Sequence, residues 1–257
     1  MFSAKKELGQ NFLSDRGIVN SMIDALELKY GEDVIEIGPG HGIFTEVLTD
    51  RLGDTGAKVF AVELDERFCA KLETMFLENE NTYIVCENIL DYLPAFKPDR
   101  KFKILGSLPY YITSPILHKI IKMEILPENC VLLVQKEVAE KIKDKAPDST
   151  YMSSFVQTFF DINYLGRIEA EKFNPVPEVD GGIIKLVKKS NSYSPKFIEK
   201  YEGFLHKAYS HPRKMLNKVF TKDELEMGEI KPNLRAQNLD SIDWVKFFKV
   251  LHKYYEI

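Results

Sequence analysis

A chain of 257 residues, 44% hydrophobic and 29% charged, has enough apolar material for a sizeable core and fits one large domain or one large and one small. Cys69, Cys86 and Cys130 form no CxxC pair and no metal-ligand spacing, so no zinc or iron–sulfur centre is expected, no disulfide is needed to hold the core, and a reducing, cytoplasmic setting is expected. The net charge of −4 speaks against a nucleic-acid partner until it is divided: residues 186–257 hold 14 Lys and Arg against 9 Asp and Glu (+5), and by subtraction residues 1–185 hold 21 against 30 (−9). A basic C-terminal part fits either a phosphate-meeting module or a solvated helical surface. The N-terminal segment lacks the apolar stretch of a secretory signal, and the longest apolar run, Cys130–Val134, is too short to cross a bilayer, so no membrane partner is expected.

In chain order, residues 14–28 read as a helix capped by Ser14 or Asp15, with Ile18, Met22, Ile23 and Leu26 on one face. Strands are predicted over 33–38, 58–65, 82–90, 102–108 and the start of 131–142, with helices over 42–52, 66–76, 112–122 and the end of 131–142. Strands separated by helical runs imply βαβ units, hence a parallel sheet with helices on both faces. Residues 152–170 and 181–189 read as the last strands, joined by a proline-containing loop at 172–180. Beyond 188 the pattern changes to helices over 195–210, 213–220 and 241–255, which implies a small all-α domain with Trp244, Phe247, Phe248 and Tyr254 in its core.

In EIGPGHG (36–42) a strand runs into Gly38, Gly40 and Gly42 and a helix follows. Such a turn lets a ligand approach the backbone, and the helix N-terminus favours a negative group. A dinucleotide fingerprint requires a third glycine at position 43, where Ile43 stands. A ligand carrying a carboxylate and no pyrophosphate fits better, and S-adenosylmethionine is one; a purely structural turn is the alternative. Glu63, ending the second strand, is placed to accept ribose hydroxyls, and Asn88 to accept from the exocyclic amine of adenine or to form a turn. Without three clustered cysteines for radical chemistry, simple methyl transfer is left.

KKELGQNFLSD (5–15), EIGPGHGIFTEVL, VELD, SLPYYITSPIL (107–117), LVQKEVAEKI, FNPVPEVD (173–180) and SHPRKMLNKVF (210–220) together resemble the ribosomal RNA adenine N6-dimethyltransferases, and within them the small-subunit, kasugamycin-sensitivity type, over nearly the whole chain. The resemblance implies a Rossmann-like methyltransferase sheet over 1–188 and a small helical RNA-binding domain over 189–257. It also implies S-adenosylmethionine as cofactor and dimethylation of two adjacent adenines in the 3′-terminal hairpin of small-subunit rRNA, by a monomer acting on an immature ribosomal subunit. The adenine amine is a poor nucleophile because its lone pair is delocalised. Two acceptors holding its N–H groups free that lone pair, and the resemblance assigns this to residue 107 and a backbone carbonyl. Pro109 fixes its own φ and restricts Leu108, aiming the Leu108 carbonyl. Tyr110 and Phe173 would sandwich the extruded base. The cofactor contacts implied are Gln10, Asn11, Leu13, Gly38, Gly40, Glu63, Leu64, Asn88, Ile89 and Ser107; Lys5, Lys6, Arg213, Lys214 and Lys218 are the RNA contacts.

The chain departs from that family at three places: Ser107 where the family has Asn, Asn88 where it usually has Asp, and Gly181 where it usually has Ser. The Ser107 oxygen falls roughly 1–1.5 Å short of an amide oxygen, a displacement that can cost about 100-fold in rate. A non-catalytic assembly factor of the same fold and a large-subunit rRNA methyltransferase therefore stay open beside the leading reading.

Overall fold

A computed structural model of the chain describes residues 10–252, apart from the side chains of Asp54 and Tyr110. The expectations placed on Lys5, Lys6, Tyr254 and the Tyr110 ring lie outside the described residues.

Strands β1 (Phe12–Leu13), β2 (Asp33–Ile37), β3 (Val59–Glu63), β4 (Thr82–Cys86), β5 (Phe102–Ser107) and β6 (Asn129–Gln135) alternate with helices α1 (Arg16–Ala25), α2 (Ile43–Leu52), α3 (Glu66–Met75), α4 (Ile89–Ala95) and α5 (Thr113–Ile121). After β6 come α6 (Lys136–Lys143), α7 (Tyr151–Phe159), β7 (Phe160–Ile168), β8 (Phe173–Asn174) and β9 (Gly181–Lys188), then α8 (Pro195–Tyr209), α9 (Lys222–Met227) and α10 (Ser241–Leu251). The main sheet has the order β4-β3-β2-β5-β6-β9-β7; β2 to β6 pair in parallel and β9 runs antiparallel to β6. Near-continuous apolar runs, as in Val34–Ile35 and Cys130–Val134, are buried because helices cover both faces. On one face, Val19, Met22 and Ile23 of α1 and Phe44 and Leu48 of α2 join Val34, Leu105 and Val131 in a single core. Each fully buried side chain of this size contributes about 1.5–3 kcal/mol. On the other, Phe96 packs against Phe60 and Phe102 at ring distances of 5.2 and 5.3 Å.

The chain runs outward from β2 through β3 to β4 and returns to place β5 on the far side of β2. Such a reversal opens a crevice at the carboxyl ends of the strands. Those ends are Gly38, Glu63, Glu87–Asn88 and Ser107.

Three predicted elements differ, and one short strand pair lies outside the predictions. Residues 152–159 form α7, not a strand: Thr150 and Ser153 make a reciprocal capping box, and the apolar run MSSFVQTFF buries as helix as readily as strand. The third strand ends at Cys86, where Asn88 caps α4 and turns the chain into a helix the sequence reading missed. Over 213–220 there is no α-helix. Met215 bridges Arg235, and the amides of Leu216 and Asn217 donate to Leu234 O (2.7 Å) and Pro232 O (3.2 Å), leaving one 3₁₀ turn at Leu216–Lys218. The short β1–β8 pair, Phe12 against Asn174 and Leu13 against Phe173, was also not foreseen. For α1, Asp15 is the cap, accepting from the amides of Gly17 and Ile18.

Cys69 and Cys86 are bonded, a pairing the sequence did not suggest; α3 packs over the β3–β4 edge and brings these cysteines together. Cys130 is free and buried.

The chain divides into two compact units. One runs through Ala139 and includes Asn163–Lys188; the other joins Glu140–Ile162 to the chain from Lys189 onward. The single boundary expected at 188 differs in that α7 belongs to the helical unit, where it packs on α8 and α10. Trp244, Phe247, Phe248, Tyr201 and Phe204 fill that unit's core, and Tyr209 accepts from the Trp244 indole at 3.2 Å. Among the described residues no helix is long and apolar enough to cross a membrane.

Candidate active site

One open cavity sits at the strand carboxyl ends of the sheet unit. Its floor is the glycine turn. Gly38, Gly40 and Gly42 have φ of +68°, +54° and +88°, a region costly for any residue with a Cβ. The turn is pinned by Gly38 N–H to Val62 O (3.0 Å) and Gly42 N–H to Pro39 O (2.8 Å). A Cβ on Gly40 would stand 2.7 Å from the Phe12 ring, and one on Gly42 2.8 Å from Leu72. The turn is therefore shaped to accept a neighbour directly against the backbone.

Glu63, 7% exposed, ends β3 beside this turn. Its Oε1 accepts from the amides of Leu64 (2.8 Å) and Asp65 (2.9 Å), and Oε2 from Gly40 N–H (3.0 Å). Burial pushes its carboxyl above the ordinary range, and the three amides pull it back. A carboxylate has about four lone-pair sites, so one remains for a ligand hydroxyl and a second hydroxyl must share with an amide. Beneath the turn, Glu36 is fully buried: Thr45 donates to its Oε2 at 2.7 Å, and its Oε1 has no partner among the described residues. Burial, with the nearby Glu63 charge, pushes Glu36 up to about 8. Burial thus favours the neutral acid form of Glu36 at pH 7.

The third side of the cavity is the end of β5. Leu108 N–H donates to Leu133 O (2.9 Å) and Pro109 O accepts from Ile112 N–H (3.2 Å). Among the described residues the Leu108 carbonyl carries no hydrogen bond, and Ser107 lines the same wall. At the β4 end, Asn88 accepts Leu90 N–H on its Oδ1 at 3.0 Å.

The cavity brings together Gln10, Asn11, Leu13, Gly38, Gly40, Glu63, Leu64, Asn88, Ile89, Ser107, Leu108, Pro109 and Phe173. Phe173 is only 4% exposed and belongs to the apolar core as well as the wall. Gln10 donates to Asp65 at 3.1 Å, and Asp65 is held well below the usual carboxylate range chiefly by Arg67. Arg213, Lys214 and Lys218 are exposed in the helical unit, on a turn rather than a helix.

Sequence reasoning missed Phe12, His41, Glu87 and Tyr111 on the walls. The Phe12 ring meets His41 edge-on at 4.5 Å, and His41 meets Phe68 at 5.0 Å. Burial, before the charge of Lys71, lowers the His41 imidazole. The signal for Phe12 was its place inside GQNFL, read only for its neighbours.

These features fit S-adenosylmethionine: a carboxylate for ribose at Glu63, a backbone cradle at Gly38–Gly42 and acceptors near an open mouth. The family profile described as ribosomal RNA adenine dimethylase matches residues 1–253. The chain is 36% identical over 255 residues to ribosomal RNA small subunit methyltransferase A of Mycoplasmopsis pulmonis, covering 95% of this chain and 98% of that one. It is 34% identical over 252 residues to the protein of that name from Sulfurihydrogenibium sp., covering 96% of both. Two crystal structures share the fold at 23% identity: a dimethyladenosine transferase from Plasmodium falciparum (TM-score 0.79; 94% of this chain, 98% of that one) and the 23S rRNA methyltransferase ErmE (TM-score 0.73; 94% and 99%). Matched by this profile and by these relatives along nearly its whole length, the chain belongs to the S-adenosylmethionine-dependent ribosomal RNA adenine dimethylase family.

Proposed function

We propose that the protein dimethylates N6 of two adjacent adenines in the 3′-terminal hairpin of small-subunit (16S) rRNA, acting in the cytoplasm as a monomer on an immature ribosomal subunit. The observation that carries this reading is the meeting, in one cavity, of the Ser107–Pro109 strand end with Glu63 and the Gly38–Gly42 turn. The cofactor, when bound, supplies an electrophilic methyl group. The chain's own part is positioning. Glu63 holds ribose, the glycine amides and the Asn11–Leu13 segment hold the amino-acid end, and the Asn88–Ile89 turn meets the base. The Leu108 carbonyl and Ser107 hydroxyl accept the two N–H hydrogens of the target amine, so that its lone pair turns toward the methyl group. Acceptors fixed before the reaction stabilise the positive charge that develops on nitrogen. Residues 1–188 would carry the chemistry, and 189–257 would meet RNA phosphates through Arg213, Lys214 and Lys218, joined by Lys5 and Lys6.

The test is incubation with labelled S-adenosylmethionine and either immature small subunits or large subunits, with mapping of dimethyladenosine. Label at two neighbouring adenines near the 3′ end of the small-subunit RNA is expected; label only in large subunits overturns the assignment. Ser107→Asn extends the acceptor and is expected to raise the single-turnover rate by about 10- to 100-fold. No methylation by either form, with RNA binding intact, would support the assembly-factor reading, which Ser107 favours.

A further inference from the structure

Strand β4 is the outer edge of the main sheet, and none of its five residues is buried. Its carboxyl end nevertheless carries one side of the cavity, because Glu87 and Asn88 follow Cys86 directly. An edge strand with so little buried surface rests mainly on its ladder and opens more easily than the strands inside. Two further ties act here at one point. Cys86 stands opposite Glu63 in the β3–β4 register, and Glu87 N–H donates to Glu63 O at 3.0 Å. The Cys69–Cys86 bond then joins that strand end to α3, whose cap, Asp65, directly follows the cavity residues Glu63 and Leu64. Cys69 is 3% exposed, whereas Cys86 is open to solvent. Cys69 Sγ lies 3.6 Å from Glu63 O, so the free thiol has an acceptor ready when the bond is open.

We propose that Cys69 and Cys86 form a reversible thiol–disulfide modification site, closed by low-molecular-weight disulfides, whose closed form fixes the β4 wall and tightens cofactor binding. With a disulfide RSSR as oxidant, the exposed Cys86 thiolate attacks one of its sulfurs. A Cys86–SR bond forms, the S–S bond of RSSR breaks and RS⁻ leaves. The Cys69 thiolate then attacks the Cys86 sulfur, forming the Cys69–Cys86 bond and expelling the second RS⁻. Two protein thiols and RSSR become one protein disulfide and two RSH, the two thiol protons ending on the departed sulfurs. An external thiolate reverses the sequence by entering at Cys86. By linkage, a site that binds the cofactor better when closed is itself closed more readily when the cofactor is bound.

This rests on the reading of the cavity as the cofactor site, and the test separates the two. The full chain is equilibrated in glutathione buffers of graded thiol-to-disulfide ratio, and the closed fraction is read by alkylation and mass spectrometry. Calorimetry with S-adenosylhomocysteine then compares the fully oxidised and fully reduced forms. The oxidised form is expected to bind about three- to tenfold more tightly, since ordering of the β4 wall no longer opposes binding. Saturating S-adenosylhomocysteine is expected to move the half-oxidation point by the same factor, toward more reducing buffer. Cys69→Ser and Cys86→Ser should bind like the reduced wild type in either buffer. Equal affinities of the two wild-type forms overturn the proposal, and so does a stable mixed disulfide at Cys86 without closure onto Cys69. Both readings use the unsubstituted chain, so they stand even where a serine variant fails to fold. Failure of both forms to bind, with the bond closing normally by mass, sinks the cavity reading and the coupling with it.

Discussion

Two glutamates lie under the same turn with different partners. Glu63 has three amide donors on its oxygens and works as an acceptor, while Glu36 has one hydroxyl donor and full burial. Because burial raises the Glu63 carboxyl, ligand acceptance is lost as pH falls through that raised value. S-adenosylhomocysteine affinity should therefore weaken from pH 8 toward pH 5 in the wild type, and be weaker but flat in Glu63→Gln, as read by calorimetry across that range. Glu36 works in the other direction. Folded, it keeps its proton up to about 8; unfolded, it ionises near 4.5. Between those values the folded chain holds the extra proton, so stability declines as pH rises across the window. In Glu36→Gln that decline should be shallower, so that denaturant midpoints of the two proteins differ more in favour of the variant at pH 8 than at pH 5. An equal difference at both pH values would mean that Glu36 is ionised in the folded state.

At the scale of elements, the β1–β8 pair holds the Phe12 ring against the glycine turn. Gly40→Ala meets two penalties there: a left-handed φ of +54° and a Cβ 2.7 Å from Phe12. It should weaken S-adenosylhomocysteine binding by at least about tenfold and cost about 1–2 kcal/mol of stability. Phe12→Ala in the same chain should restore part of the stability but not the φ cost, giving a non-additive double-mutant cycle. Additivity would show that strand β1 does not rest on the turn. The glycines were legible in the sequence because a strand–glycine–helix pattern has few other uses. The Phe12 contact was not, because it depends on the pairing of Leu13 with Phe173, and no local pattern records a two-residue strand. The α7 segment shows the complementary failure: its apolar run suits both periods, and the capping box at Thr150–Ser153 decides for helix.

At the scale of the whole molecule, the basic surplus after residue 186 is realised in part by Arg213, Lys214 and Lys218, all exposed. If these meet phosphates, changing all three to Gln should weaken RNA binding alike across sequences. It should also reduce the slope of log K against log salt by about 2–3, while leaving S-adenosylhomocysteine affinity unchanged. Filter binding at several salt concentrations reads this; an unchanged slope would mark the cluster as a solvated surface. The exposed cluster owes its geometry to loop amides taken by Leu234 and Pro232, which stop a helix from forming.

The sequence alone determined the alternation of strand and helix, the glycine turn, Glu63 at a strand end and the family, because each rests on local periodicity or on a contiguous motif. Only the tertiary structure decided that Cys69 bonds Cys86, that α7 joins the helical unit and that burial raises the Glu36 carboxyl. Each of these depends on which groups distant in the chain exclude water from, or donate to, a given atom, and residue order does not carry that information.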